Sequence, residues 1–377
     1  MLDLTIMRCR KMLLNRQGAV MIIIAVAFVA IVGFCSLVVD IGNLLLTRQK
    51  LSNSVDAAAL AGANIMGEKF AEANVKDYAI AAAEEYIREN EWEIVTAGHL
   101  GKAMAVAFSD TKKVELDISV SEDHREITVR GNTQVKHFLA TVLGISESTV
   151  SAAATARVDP ATSVTGVVPV GIPAETFDQP DFGFGKECVL KLPAQDGNQG
   201  GWRSFLGSGN CGLLDPGSTG QGSSRDIDEE ERNGHGSDEW REDFINGYNK
   251  EISKGDLIAT IQGNRNGPVK AAVEARLNQC THSPKCSISR YENNCPRVII
   301  VPVYEKGEEK GNHVINVRTV GFAKFLLIDY SEDLDEHGNI ESSSIKGWFL
   351  EGSIEGDPDP TSSTISEYGT YVVYLSK

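Results

Sequence analysis

Basic side chains are scarce once the first eighteen residues are passed. The 377-residue chain holds 36 Lys and Arg against 52 Asp and Glu, a formal net charge of −16. Its first 18 residues carry Arg8, Arg10, Lys11 and Arg16 against Asp3 alone, so the remainder carries −19. Nucleic-acid binders need a basic stripe to neutralise phosphates, and this balance argues against one. It argues equally against a surface lying flat on anionic lipid, and fits an acidic exterior that keeps an exported protein soluble. Familiar catalytic devices are missing too. No G-x-S-x-G, H-E-x-x-H or P-loop occurs, and the seven His are scattered, none beside a Ser or Cys in a pattern that activates a nucleophile. Low-complexity tracts are absent, and the apolar content suffices for two or three compact units.

Between Ala19 and Val39 charge is missing altogether, over 21 residues ending at Asp40. At 1.5 Å per residue such a run crosses the roughly 30 Å hydrocarbon layer as one helix, with every backbone polar group satisfied internally. The basic residues ahead of it place the short N-terminus in the cytoplasm and everything after Asp40 outside. A cleaved signal peptide would have an apolar core of about 7–15 residues ending in a small-x-small site. Here the run is longer and DIGNLLLTRQKLSNSVDAAALAGA after it reads as further helix, so the expectation is a retained anchor with Arg16, Gly18 and Asp40 at its edges.

Of the seven cysteines, Cys9 falls on the cytoplasmic side and Cys35 in the apolar run. Cys188, Cys211, Cys280, Cys286 and Cys295 fall in the exported part, where disulfides persist. Five is odd, so one thiol stays free or pairs between chains. The expected bonds are Cys188 with Cys211 and one pair among the last three.

Leu44, Leu51, Val55, Ala58 and Gly62 form one helical seam after the apolar run, and the small residues of VDAAALAGA admit a close neighbour. Gly67 interrupts, and a second helix is expected over about 70–91 with the stripe Ala71, Val75, Ala79, Ala82 and Tyr86. Val114, Leu116, Ile118 and Val120 alternate with polar residues as a half-buried strand. Ile127 and Val129 suggest its hairpin partner, HFLATVLG a short helix closed at Gly144, and TVSAAATARV another strand. The segment 160–249 is rich in Gly, Pro, Ser and Asp, with few regular elements legible and a mobile acidic loop at 217–239. Order returns with GPVKAAVEARLNQC, a helix opened by Pro268, and four strands: RVIIVPVYE, VINVRTVGFAKFLLIDY, IKGWFLEGSI and TYVVYLS.

The fold class expected is therefore a single N-terminal transmembrane helix continuing into a helical stalk, then an α+β region and a mostly β C-terminal domain. The boundaries are a cytoplasmic tail at 1–18, the span at 19–39, the stalk at 40–92, a small α/β unit at 93–159, and a β-rich domain with long Gly/Asp-rich loops at 160–377.

The block RQGAVMIIIAVAFVAIVGFCSLVVDIGNLLLTRQKLSNSVDAAALAGA resembles the N-terminal signature of TadG-like Flp pilus-assembly proteins. The shared features are an Arg and Gly ahead of one span, Asp40 at its outer edge, and a Leu/Arg/Gln helix closing with DAAALAGA. The region up to about Val158 continues the pattern. Farther on, VVPVGIP, GNCGLLD, GNRNGP, PRVIIVPV and VGFAKFLL in this order resemble the exported domain of some such proteins. The resemblance implies a single-span component of the tight-adherence pilus and secretion apparatus, with no catalytic residues to carry over. The related TadE-type pseudopilins have a Glu five residues after the processed Gly. That position is Ile23 here, so prepilin-peptidase cleavage is not expected.

Several strings invite a chemical reading. Asp117, Ser119 and Ser121 spell D-x-S-x-S, the metal-adhesion signature of von Willebrand A domains, but strand alternation alone explains them. Gly207, Gly209 and Gly212 spell G-x-G-x-x-G, but Leu213 to Pro216 cannot open a long helix, so a Gly-rich turn is expected and no cofactor. Cys280, His282, Cys286 and Cys295 can be drawn as a zinc site, yet their spacing lacks two short ligand pairs, and an oxidising compartment favours disulfides. The acids Asp226, Asp228, Glu229, Glu230 and Glu231 lack the register of a calcium cage. GNRNGP is a plain turn before an N1 proline. The function expected is non-enzymatic: an anchored component of Flp pilus assembly or secretion, contacting other membrane proteins of that apparatus as a homo- or hetero-oligomer. The alternative is a membrane-tethered adhesin or ligand-binding module that uses its Gly/Asp-rich loops.

Overall fold

A computed structural model describes residues 16–95, 112–138, 140–179, 183–191, 212–220, 237–260, 266–306, 309–310, 313–314, 316–334, 337 and 340–376. Its dominant element is helix α1, Arg16–Glu68. At 1.5 Å per residue its 53 residues extend about 80 Å. Two halves of this helix meet different surroundings. From Val20 to Val39 every described side chain is exposed, although nearly all are apolar. From Leu51 onward Leu51, Val55, Ala58, Ala59, Ala63 and Met66 are fully buried. The seam read from the sequence is the face that packs.

What it packs against is the chain's own first sheet together with helix α2, Val75–Glu89. The buried stripe of α2 is Val75, Ala79, Ala83 and Ile87, while Tyr86 is exposed. The expected stripe is thus out of phase by one residue at its C-terminal end. Strands β1 (Trp92–Val95), β2 (Lys112–Val120), β3 (Glu126–Lys136) and β4 (Glu147–Asp159) follow. β1 and β2 are parallel, and β2, β3 and β4 form an antiparallel meander with Ile118 opposite Val129. Close approach is possible because glycine stands where the layers touch. A Cβ at Gly62 of α1 would lie 2.5 Å from Ile127 Cδ1 and 3.0 Å from the Ala79 carbonyl oxygen of α2. A buried hydrogen bond, Trp92 Nε1 to Ser54 Oγ at 3.0 Å, ties β1 to α1.

The remainder is mostly β. Strands β5 (Ala161–Val164), β6 (Val170–Pro173), β7 (Glu187–Lys191) and β8 (Gly212–Gly220) precede helix α3, Ser237–Asn246. Strands β9 (Ile252–Ser253) and β10 (Leu257–Thr260) lead to helix α4, Asn266–Gln279. Then come β11 (Val298–Lys306), the small pair β12 (Glu309–Lys310) and β13 (His313–Val314), β14 (Asn316–Leu334) and β15 (Ile340–Leu350). The last strands are β16 (Gly352–Ser353), β17 (Asp357–Pro358) and β18 (Thr370–Ser376). The four strands and the helix expected after residue 260 are all present.

A seven-stranded sheet runs β10-β8-β6-β11-β14-β15-β7, and the pairing of β10 with β14 closes five of its strands into a ring. Strand alternation divides its faces. Ile299, Val301 and Val303 of β11 and Ala323, Phe325 and Leu327 of β14 meet Trp240 and Phe244 of α3 and Val269, Ala272 and Val273 of α4. The opposite face presents Leu326 and Leu350 to the cysteine-bearing connection between α4 and β11.

Strand β18 leaves this half of the molecule and pairs antiparallel with β4, making the first sheet β1-β2-β3-β4-β18-β16. The line drawn at residue 159 is thus crossed by the chain's own pairing. Asp159, fully buried, fastens the crossing. It accepts from the Arg125 guanidinium, from Arg157 Nε at 2.6 Å and from Tyr374 Oη of β18 at 2.8 Å. Arg125 also donates to the carbonyls of Ser362 and Thr364. Burial, with the adjacent carboxylate, pushes the Tyr374 phenol up to about 12.

Asp159→Ala, which strands a buried guanidinium, is expected to cost about 3–5 kcal/mol in urea denaturation of the detergent-solubilised protein. Asp117→Ala, at an exposed pair 3.7 Å from Arg130, should stay within about 0.5 kcal/mol. Gly62→Val should lower stability by about 1–3 kcal/mol or more by overpacking the α1–α2–β3 contact.

Candidate functional site

Two places concentrate unusual chemistry. The first is the point on α1 where exposed apolar helix gives way to packed helix. Arg16 and Gly18 lie in the first turn of α1, and Asp40 lies more than six turns on. A carboxylate in a helix interior beside an apolar run is costly unless its oxygens are used. Asp40 is 4 % exposed, and both oxygens accept backbone hydrogen bonds: Oδ1 from Phe138 N and Oδ2 from Ala140 N, each at 2.8 Å. Ala140 opens the 3-10 helix Ala140–Leu143, whose first N–H groups have no partner within that helix. The expected short helix therefore exists, and Gly144 closes it with φ +85°. Beside the clamp, Phe138 and Ile145 are exposed, as are Ile41, Leu45 and Leu46 of α1.

The second place is the connection from Cys280 to Arg297, between α4 and β11. It has a single isolated bridge, Ser287 with Arg290, yet Cys280, Cys286 and Cys295 are buried. All three are free thiols, and together with His282 their donor atoms lie within 4.8 Å of one another. His282 Nδ1 is 3.3 Å from Cys286 Sγ and 3.6 Å from Cys280 Sγ. The sequence points to one disulfide and a spare thiol here; the structure instead gathers all four side chains.

Electrostatics at the cluster are uneven. Burial opposes ionisation of Cys280, but the Cys286 backbone N–H and His282 outweigh it and bring that thiol down to about 6. At Cys295 burial dominates and pushes the thiol up to about 12, against the Arg297 backbone N–H. Lys285 Nζ donates to the Cys280 carbonyl at 2.9 Å, and Arg297 Nη1 to the Cys286 carbonyl at 3.3 Å. Asn293 and Asn294 of the same connection help line a cleft of about 530 Å³ that also takes in Arg276 and Lys324. Burial pulls Arg276 down to about 10 and Lys324 down to about 8. Lys324 is held at Asn293 Oδ1, 2.9 Å, and at the Ser353 carbonyl, 3.1 Å.

The other sequence candidates separate. Cys35 is exposed on the apolar half of α1. Cys188 sits half-buried on β7 opposite Gly347, its thiol pushed up by burial, while Cys211 lies outside the described residues. Asp117 and Ser119 lie on the exposed face of β2, with Asp117 facing Arg130. Gly207, Gly209 and the acids at 226–231 lie outside the described residues, and Gly212 begins β8. Pro268 falls in the first turn of α4, and the rest of GNRNGP before Asn266 is outside them.

Residues 18–64 match the family model described as putative Flp pilus-assembly TadE/G-like. The match begins in the first turn of α1 and ends in its buried half, so it takes in the apolar run, Asp40 and the small residues facing α2. No curated protein and no solved structure matches the chain.

Asp40→Ala removes an acceptor from two backbone amides and is expected to cost about 2–4 kcal/mol. Hydrogen exchange should quicken at the Phe138 and Ala140 amides, whereas membrane extraction behaviour should not change.

Proposed function

We propose that this chain is a non-enzymatic, single-span component of Flp pilus assembly or its associated secretion apparatus, anchored in the inner membrane with its folded mass outside the cytoplasm. The observation that carries the reading is the split character of α1. One helix within the TadE/G-like match is apolar and exposed all round from Val20 to Val39, then becomes the central core element of a folded unit. A helix apolar on every side with nothing packed on it belongs in lipid, and its length suits one crossing. It is the one helix among the described residues long and apolar enough to do so.

The work of such a protein is positional. Because the unit packs around α1 from the Asp40 clamp onward, it rests on the membrane surface, and exposed Phe138 and Ile145 sit at the depth where apolar side chains meet the interface. Partner proteins of the apparatus are met by the surfaces of the two sheets and their loops. An acidic exterior suits a protein that must stay soluble there.

Two measurements test this. A membrane-impermeant thiol reagent applied from outside should label Glu85→Cys, on the exposed face of α2, and should leave Cys9 unlabelled until the membrane is breached. Deleting the gene should abolish piliation and surface adherence, restored by the full chain and not by one lacking residues 16–39. Labelling of Glu85→Cys only from the cytosol, or normal pili without the protein, would refute the proposal.

A further inference from the structure

We propose that Cys280, His282, Cys286 and Cys295 bind one zinc ion in a closed structural site. The inference does not depend on the pilus reading. Four donors converge: the three Sγ atoms and a His282 ring nitrogen all lie within 4.8 Å of one another, with Nδ1 at 3.3 Å from Cys286 Sγ and 3.6 Å from Cys280 Sγ. A tetrahedron with Zn–S near 2.3 Å and Zn–N near 2.0–2.1 Å has edges of about 3.6–3.8 Å, so only small shifts bring all four into register. Three thiolates and an imidazole are soft donors that select zinc over magnesium or calcium, and four protein ligands leave no open position for catalysis.

A disulfide serves this arrangement less well. It needs a sulfur–sulfur distance of about 2.05 Å and consumes two of the three thiols, leaving the third buried against it and placed for exchange. No disulfide joins the described cysteines. Zinc uses every donor. The ligands also have the supporting contacts a metal site requires. Lys285 and Arg297 approach the cluster through its carbonyls, offsetting the single negative charge of three thiolates around a divalent ion.

The site explains how a connection with almost no secondary structure holds its place. Crosslinking positions 280, 282, 286 and 295 fixes Asn293 under the Lys324 ammonium, which also reaches the Ser353 carbonyl of β16. Zinc thus stiffens the seam between the seven-stranded sheet and the membrane-proximal unit.

The test uses the full chain, purified in detergent without added metal. Elemental analysis should give about one zinc per chain. Cobalt exchange should give thiolate-to-metal charge-transfer bands and tetrahedral ligand-field bands, unchanged in Cys188→Ser and lost in Cys295→Ser. Alkylation should spare Cys280, Cys286 and Cys295 until a chelator is added, and the chelator should lower Tm and speed hydrogen exchange across 281–297. The wild-type readings decide the matter even if Cys295→Ser fails to fold. A disulfide among the three cysteines, or a protein that arrives without zinc and takes up no cobalt, would overturn the site.

Discussion

One unbroken helix has to satisfy two environments, and the rest of the molecule is arranged around that demand. Lipid asks for apolar side chains on every side of α1, and the folded unit asks for one face of small and branched residues that sheet and helix can approach. The change occurs at Asp40, whose carboxylate is masked by the amides at Phe138 and Ala140. That contact sets both the rotation of α1 and the height of the first sheet along it. Residues 40–68 are therefore more than an extension lifting a head from the membrane: they are the central core element of the first unit.

The two sheets are joined by more than a linker. The short sheet β17-β5-β9 lies between them, and Val164, Tyr248, Tyr304, Phe322, Ile354 and Val372 share one small core there. Within the first sheet Asp159 holds Arg157 of its own strand β4, Tyr374 of β18 and Arg125 just ahead of β3, and Arg125 reaches on to the carbonyls of Ser362 and Thr364. From the connection at 280–297, Asn293 meets Lys324 of β14, which also reaches the Ser353 carbonyl of β16 in the first sheet. The shared core around the middle sheet and the Lys324 contacts thus couple the two halves.

Much of this is legible in the sequence, and the failures have physical causes. The α1 seam is readable because Leu51 and Val55 fix its phase against polar neighbours. In α2 the three alanines at 81–83 offer no such marker, so the pattern points to Tyr86 as readily as to Ile87. Gly67 reads as a break, but it lies in the last turn of α1, where a Cβ would come 2.3 Å from the Tyr371 ring. Between residues 160 and 249 the strands are hard to see because β6 is buried on both faces and only four residues long, leaving no alternation. Strand β8 is hidden by Pro216 and its glycines, tolerated beside a register shift opposite Ile258 and Ala259. Helix α3 does carry a signal, Trp240 and Phe244 one turn apart, but the acidic stretch before it masks the start. The four donors at 280–295 stand out in the sequence, and spacing counts against them only by a rule about ligands in regular hairpins and helices. An irregular connection brings them together by folding back on a sheet.

The pairing of β18 with β4 has a consequence for the order of assembly. Residue 370 leaves the ribosome some 210 positions after Asp159, a delay of roughly 10–40 s at ordinary synthesis rates. Throughout that interval the strand that will cover β4 does not exist, and an unpaired strand edge is an adhesive surface. Closure of the first sheet is thus the last event in the folding of the chain, made when residues 370–376 reach the β4 edge.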